Sequence, residues 1–136
     1  MTDLRGPKIR FIELQDEGDA RGVSFTAPAE ALDYVGRTAD VHLASTSPGA
    51  IRGNHCHMRT RMAIMVLPGP QWSFHWDEGE GTQPKGRMFD GSRSILILVA
   101  TGASHAVRND GASPLLTVAI SSEPYDPADR VARKVI

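Results

Sequence analysis

Between residues 40 and 120 the chain is a succession of short segments with strand character, each followed by residues that favour a turn. Apolar and polar residues alternate in 71–76, which places three aromatic side chains on one face of that segment. Pro68-Gly69-Pro70 and Asn109-Asp110-Gly111 are strong turn sequences. Eight or more short strands at such regular spacing predict an all-β sandwich or closed barrel, because a parallel sheet would need crossover helices between its strands.

Only one segment has helical character. Pro28 suits the first turn of a helix and Gly36 ends it, so residues 28–35 predict a short accessory helix. The first eight residues predict a loose arm, and the residues from 123 onward predict a polar tail. No linker or repeat divides the chain, so we expect one domain over 1–136. The predicted strands are 9–14, 22–26, 40–46, 51–57, 62–67, 71–76, 87–89, 95–99, 105–108 and 115–120.

The composition restricts the classes of partner. With 136 residues, 40% hydrophobic and 23% charged, the chain is long enough to bury a substantial core. A formal net charge of −1 provides no basic field for nucleic acid or an anionic membrane. No apolar run approaches the length of a membrane span, and the first five residues do not resemble a signal peptide. The single cysteine excludes an internal disulfide framework. We therefore expect a cytoplasmic protein with no nucleic-acid partner and no membrane partner.

Two histidines, His55 and His57, stand two residues apart in a predicted strand, so their side chains point to the same face. Histidine is a mediocre strand former, and burying it without a partner costs free energy. A third histidine, His105, follows about fifty residues later in another predicted strand. A small barrel can gather side chains from distant strands, so the three imidazoles are candidates either for metal ligands or for acid and base groups.

The spacing around these histidines resembles the two sequence motifs of the cupins. In the first motif a Glu follows the second histidine of the His-x-His pair by five positions, and a Gly follows that Glu by seven. Here the second histidine is His57, and the two positions hold Met62 and Gly69. The second motif is matched by Gly102, His105 and Asn109, with Ala100 in place of its proline. The resemblance covers about residues 40–122. It implies a cupin fold, which is a double-stranded β-helix or jelly-roll barrel, with one short accessory helix.

A narrower resemblance concerns cupins that modify sugar nucleotides. The segment Arg52-Gly53-Asn54-His55-Cys56-His57 resembles the RGxHxH signature of the dTDP-4-keto-6-deoxyhexose 3,4-ketoisomerases, the related 3,5-epimerases and a C-terminal cupin of capsular-polysaccharide enzymes. Asp19-Ala20-Arg21-Gly22 and the segment 122–127 are similar to an early element and to the ending of the same group. The resemblance implies proton transfer on a nucleotide-diphosphate ketosugar in polysaccharide or deoxysugar biosynthesis, with no cofactor required.

The same resemblance implies roles for individual residues. His55 and His57 are expected to be the catalytic bases, because imidazoles titrate near neutral pH. Arg52 stands where a guanidinium would pair bidentately with the diphosphate of the nucleotide sugar. The remaining predicted substrate contacts are His105, Asn109 and His42, the last of which stands in the region where the ketoisomerases carry a tyrosine.

Two alternatives remain open at this point. In the first, His55, His57 and His105 hold a divalent metal, Zn, Fe, Mn or Ni. Met62 weakens that interpretation because a thioether is a poor ligand for hard divalent ions, although three histidines and a water suffice for zinc. In the second, the protein is a non-catalytic cupin that binds a small molecule. We also expect a homodimer, because cupins of this size pair through strands and exposed strand edges need covering.

Overall fold

The computed structural model describes residues 6–136, so most of the predicted N-terminal arm lies outside the described residues. The described chain forms strands, one short α-helix and one turn of 3-10 helix at Pro127–Asp129. The elements are β1 (Ile9–Leu14), α1 (Ala29–Val35), β2 (Asp40–Thr46), β3 (Ile51–His57), β4 (Met62–Val66), β5 (Trp72–Trp76), β6 (Lys85–Phe89), β7 (Ser94–Val99), β8 (His105–Asn109), β9 (Leu115–Ser121) and β10 (Arg130–Ala132).

The strands form two five-stranded antiparallel sheets. Sheet I has the order β1-β7-β4-β9-β2, and sheet II has the order β10-β3-β8-β5-β6. Neighbours in each sheet are mostly distant in sequence, as when β3 pairs with β8 and β1 pairs with β7. The predicted all-β architecture is confirmed, and the short helix is confirmed with it. Within residues 6–136 no helix is both long and apolar enough to cross a bilayer.

The main core lies between the sheets and contains the aromatic residues of β5. Trp72 and Phe74 are buried, and the ring of Trp72 stacks on Phe89 with centroids 4.2 Å apart. A second core lies between sheet I and α1, where Ala31 and Val35 are completely buried. Because β7 is covered on both faces, all six of its residues are buried, which explains why its last five residues are continuously apolar rather than alternating.

Two predicted segments differ in the structure. Residues 22–26 form no strand, and only a single bridge joins Asp19 to Gly22. The side chain of Asp16 accepts hydrogen bonds from the amides of Gly18 and Ser24, which holds this segment as a loop. The segment predicted as a polar tail contains a strand, because Arg130–Ala132 pairs with β3 as β10.

Side-chain hydrogen bonds anchor the C-terminal segment next to β3. Asn54 has a positive φ of 60° beside the irregularity in β3, and its carboxamide oxygen accepts hydrogen bonds from the amides of Val135 (2.8 Å) and Ile136 (3.2 Å). Arg133 donates two hydrogen bonds of 2.7 Å to the buried carboxylate of Asp77. These contacts fix β10 and the 3-10 turn before it against the strand that carries the paired histidines.

Candidate active site

A cavity of about 780 Å³ lies between the two sheets. Sheet I contributes mainly small and apolar side chains to its wall, among them Ala44, Ile64 and Ala119. Sheet II contributes the three histidines that the sequence singled out, and the segment between β9 and β10 contributes acidic and aromatic residues. This volume is within the usual range of small-molecule sites, about 300–1,000 Å³.

The paired histidines lie on the cavity face of β3. The ring centroids of His55 and His57 are 5.2 Å apart, and His105 on the neighbouring strand β8 lies 5.3 Å from His55 and 6.2 Å from His57. The close approach of β3 to β8 depends on Gly53, since a Cβ there would lie 2.4 Å from the carbonyl oxygen of His105. The glycine of the RGxHxH segment is therefore required by the close packing of β3 against β8. Cys56 points away from the cavity and is buried, as its strand position predicts.

All three imidazoles have a lowered pKa and are therefore neutral at neutral pH. Burial, followed by the neighbouring charges of His57 and Arg130, lowers the pKa of His55 to about 4. Burial, followed by the charge of His55, lowers the pKa of His105 to about 3, and its Nδ1 lies 3.3 Å from the carbonyl oxygen of Ala103. His105 therefore supports the wall of the site as a neutral, buried group.

A carboxylate that the sequence analysis did not predict lies beside His57. The Nδ1 atom of His57 is 3.6 Å from the Oδ2 atom of Asp129, whose side chain is only 3% exposed. Thr60 donates a hydrogen bond of 2.5 Å to Oδ2, and the amides of Met58 and Arg59 donate to Oδ1 at 3.1 and 2.7 Å. Asp129 is thus held in place by three donors from the chain that follows β3.

The electrostatics of this pair favour a charged carboxylate and a neutral imidazole. Burial by itself raises the pKa of Asp129, but the hydrogen bonds from Thr60 and Arg59 and the charge of His57 outweigh it, so the pKa is lowered. Burial lowers the pKa of His57, and Asp129 partly offsets that effect. Because Nδ1 faces the carboxylate, Nε2 of His57 is the nitrogen that remains available to accept a proton.

Arg52 and His42 both line the cavity, from opposite sheets. The exposed guanidinium of Arg52 donates to the carbonyl oxygen of Ser45 through Nε at 3.2 Å and Nη2 at 2.8 Å, and its other donors have no partner among residues 6–136. His42 lies on β2 and is exposed. The structure therefore brings both residues to the same cavity as the paired histidines.

Asn109 does not line the cavity. It is fully buried, and its amide nitrogen donates to the carbonyl oxygens of Thr46 (2.9 Å) and Ser113 (2.7 Å). Its carboxamide oxygen accepts from the amide of Gly111 at 2.9 Å. With these hydrogen bonds Asn109 stabilises the hairpin after β8, so the structure assigns it to a turn rather than to a substrate contact.

The predicted three-histidine metal site finds no support. Within residues 6–136 no group of three or more His, Cys, Asp or Glu side chains is placed to hold a metal ion. Met62 lines the cavity where a metal-dependent cupin would supply a carboxylate.

Besides Asp129, five cavity residues come from the segment predicted as a tail: Glu123, Pro124, Tyr125, Asp126 and Arg130. Arg130 is the antiparallel partner of His57 in the β10–β3 register, and its guanidinium lies 5.9 Å from the ring centroid of Tyr125. Tyr125 and Glu123 also line the cavity. The only sequence signal for these residues was the resemblance of 122–127 to the ending of the sugar-nucleotide cupins. That segment stops before Asp129 and Arg130, which pairing with β3 brings to the site.

Known structures share this fold. A 3'-monoepimerase from Streptomyces bikiniensis, solved in complex with dTDP-quinovose, is 20% identical with a TM-score of 0.76, over 97% of this chain and 72% of that chain. A 3,4-ketoisomerase from Helicobacter canadensis is 13% identical with a TM-score of 0.73, over 93% and 91%. A sugar 3,4-ketoisomerase from Thermoanaerobacterium thermosaccharolyticum, solved in complex with TDP, is 15% identical with a TM-score of 0.70, over 91% and 87%. These likenesses confirm the cupin jelly roll.

Sequence comparison supplies the family. No curated protein matches the chain. The family of the polysaccharide biosynthesis C-terminal domain matches residues 17–131, which include the helix, the paired histidines and Asp129. The chain therefore belongs to the polysaccharide biosynthesis C-terminal domain family and has the cupin fold of sugar-nucleotide epimerases and ketoisomerases.

Proposed function

We propose that this protein is a sugar-nucleotide isomerase or epimerase that transfers a proton on a nucleotide-diphosphate ketosugar in polysaccharide or deoxysugar biosynthesis. The observation that carries this proposal is the pair formed by His57 and Asp129 in the wall of the cavity. A neutral imidazole next to a fixed carboxylate is the usual arrangement of a general base.

The reaction needs no oxidant or reductant. His57 removes a proton from the carbon next to the sugar carbonyl, and the electron pair of that C–H bond forms a C=C bond while the carbonyl oxygen becomes an enolate. Asp129 stabilises the imidazolium that forms and holds Nε2 towards the cavity. If the proton returns to the former carbonyl carbon, after a proton moves between the two oxygens, the carbonyl has shifted by one position. If a donor on the opposite face, such as a water molecule, instead protonates the original carbon, and His57 gives its proton to solvent, the product is an epimer.

His55 is proposed as the second proton-transfer group. Its ring lies 5.2 Å from that of His57, and its pKa of about 4 keeps it neutral near pH 7. A neutral imidazole can both donate and accept a hydrogen bond. His55 can therefore pass a proton to or from a hydroxyl group of the sugar while His57 acts on carbon.

The cavity also suits the nucleotide part of such a substrate. Arg52 retains free donors for a diphosphate, and it lies at the opposite end of β3 from His57. The solved structures that hold dTDP-quinovose or TDP support a nucleotide-diphosphate ligand. The predicted substrate contact from His42 remains part of the proposal. His42 lies on the wall of the cavity that sheet I forms, opposite sheet II.

Hydrogen–deuterium exchange tests the function directly. The protein is incubated in D₂O with TDP-4-keto-6-deoxyglucose, and NMR follows the loss of hydrogen from the carbons next to the carbonyl. We expect exchange with the wild type, a fall of at least about 100-fold with His57→Asn, and wild-type rates with His75→Asn, which alters a histidine outside the cavity. Binding without any exchange would instead identify a non-catalytic binding cupin and would contradict the proposal.

We further propose that the protein is a homodimer formed through the outer face of β2 and β9. His42 faces the cavity, so Val41 and Leu43 face outward, where they are 55% and 71% exposed. Leu116 on β9 is 49% exposed on the same face, because its register partner is Ser45. The strip contains no charged residue, and a two-fold axis would bring it against its own copy.

A further inference from the structure

Two arginines, Arg52 on β3 and Arg130 on the neighbouring strand β10, line the cavity near opposite ends of β3. Arg52 is the second residue of that strand, and Arg130 is the register partner of its last residue, His57. Five residues of extended chain separate the two positions, which corresponds to roughly 16 Å along the strand. One cation therefore stands beside the proposed base, and the other stands away from it.

The two arginines also differ in their partners. The guanidinium of Arg52 is hydrogen-bonded to the carbonyl oxygen of Ser45, and neighbouring Arg59 and Arg133 are bound to the carboxylates of Asp126 and Asp77. Within residues 6–136 Arg130 has no carboxylate at ion-pair distance. Its contact among the same residues is the face of the Tyr125 ring, and a cation–π contact occupies none of the hydrogen-bond donors of the guanidinium.

The pairing of β10 with β3 places Arg130 at the end of the cavity that contains His57. Residues directly opposite each other on antiparallel strands have Cβ atoms about 5 Å apart and point to the same face. Arg130 therefore shares the cavity face of His57. Burial is the main cause that lowers the pKa of His55 and of His57, and the positive charge of Arg130 adds to it in both cases. The field of the guanidinium thus reaches both imidazoles.

Proton removal next to a carbonyl creates negative charge on an oxygen, and a site without a cation for that oxygen leaves the enolate unstabilised. We infer that Arg130 is a catalytic residue that donates hydrogen bonds to the enolate oxygen formed when His57 removes the proton, whereas Arg52 binds the diphosphate. This inference rests on the proposed function. The C–H electron pair becomes the C=C bond, the carbonyl π pair moves onto oxygen, and the guanidinium binds that oxygen without giving up a proton.

Separate measurements of binding and chemistry test this division of roles. The variants are Arg130→Met, Arg130→Lys and Arg52→Met, with Arg87→Met as the control because Arg87 packs on Phe11 and Phe89 outside the cavity. Titration with dTDP alone gives the affinity for the nucleotide. Deuterium exchange on TDP-4-keto-6-deoxyglucose gives kcat and KM.

For Arg130→Met we expect kcat to fall about 100- to 1,000-fold, with KM and the Kd for dTDP within about two-fold of wild type. Arg130→Lys keeps the charge but loses the planar fork, so it should recover part of kcat. Arg52→Met should weaken dTDP binding by about ten-fold or more. Melting temperatures of the Arg130 variants near that of Arg87→Met establish that each variant is folded.

Two results would overturn the inference. If Arg130→Met weakens dTDP binding and leaves kcat unchanged, Arg130 binds the diphosphate. If Arg130→Met and Arg130→Lys both exchange at the wild-type rate, Arg130 takes no part in the reaction, while the proposed function stands. A wild-type protein that binds dTDP but exchanges no hydrogen contradicts the proposed function itself, and the role of Arg130 falls with it.

Discussion

Asp129 lies 3.6 Å from Nδ1 of His57, although 72 positions of sequence separate the two residues. The contact exists because β10 pairs with β3 and because three donors hold the carboxylate. The nearby carboxylate favours the tautomer of His57 that carries its proton on Nδ1, and it stabilises the cationic form of the ring. The chemistry proposed for the cavity depends on this relationship.

The Asp129→Asn variant removes the negative charge of the side chain and keeps nearly the same volume. We expect kcat for deuterium exchange to fall by about 100-fold or more, because the imidazolium of His57 loses its counter-charge. The carboxylate raises the pKa of His57 against the larger effect of burial, so its removal lowers that pKa further. The acidic limb of the pH–rate profile should therefore move to lower pH.

The control for this variant is Asp90→Asn, which changes an exposed turn carboxylate bonded to Ser92. It should keep both the rate and the profile of the wild type. An acidic limb that stays in place in Asp129→Asn would show that His57 does not set it.

The buried neutral histidines should make the fold sensitive to mild acid. The pKa values of His55 and His105 are lowered to about 4 and about 3, so below pH 6.5 the unfolded chain takes up protons that the folded chain does not. Stability should thus be fully present above pH 6.5 and decrease as pH falls towards 4. The slope is at most about 1.4 kcal/mol per pH unit for each imidazole.

Urea unfolding between pH 7.5 and 4.5 measures this dependence. His105→Asn should have a shallower slope than the wild type, whereas the exposed His42→Asn should not. Equal slopes in the wild type and His105→Asn would exclude His105 as a cause of acid sensitivity.

The ion pair between Asp77 and Arg133 should control the order of the C-terminal segment. Arg133→Met leaves the carboxylate of Asp77 buried without its cation, which should cost about 3 kcal/mol of unfolding free energy. Hydrogen exchange of amides 130–136 should become faster, and the rate of proton transfer should fall because Asp129 precedes this segment.

The double variant Asp77→Asn with Arg133→Met provides the comparison. Asn can still accept the hydrogen bonds from the amides of Ser104 and Gly79, and it carries no charge. We expect it to be more stable than Arg133→Met alone. If it is not, the cost arises from the lost hydrogen bond of Arg133 to the carbonyl oxygen of Gly102 rather than from an unpaired charge.

Leu43→Lys should convert the proposed homodimer into monomers, because it introduces a charge into the apolar strip on β2 and β9. Light scattering coupled to gel filtration measures the mass. Met88→Lys on the edge strand β6 is the matched control, since Met88 is 77% exposed and lies in the other sheet. A wild-type protein that is monomeric at 100 μM or so would contradict the proposal.

The local pattern of the sequence determined the accessory helix, the orientation of the paired histidines and most of the strands, but neither the loop at 22–26 nor β10. Alternation in 71–76 placed Trp72 and Phe74 in the core, and the spacing of His55 and His57 placed both on one face. These features follow from the two-residue period of a strand and from the turn preferences of Gly, Pro and Asn, which act within a few residues.

Tertiary structure alone decided which residues of the C-terminal segment surround those histidines. The segment after β9 is polar and has no strand period, so only its pairing with β3 and its bonds to Asn54 and Asp77 make it part of the barrel. Asp129 and Arg130 reach the cavity through that pairing, whereas Asn109, which a motif predicted for the site, is held in a hairpin by buried hydrogen bonds. Contacts across some seventy residues depend on sheet register, which leaves no local signal in the chain.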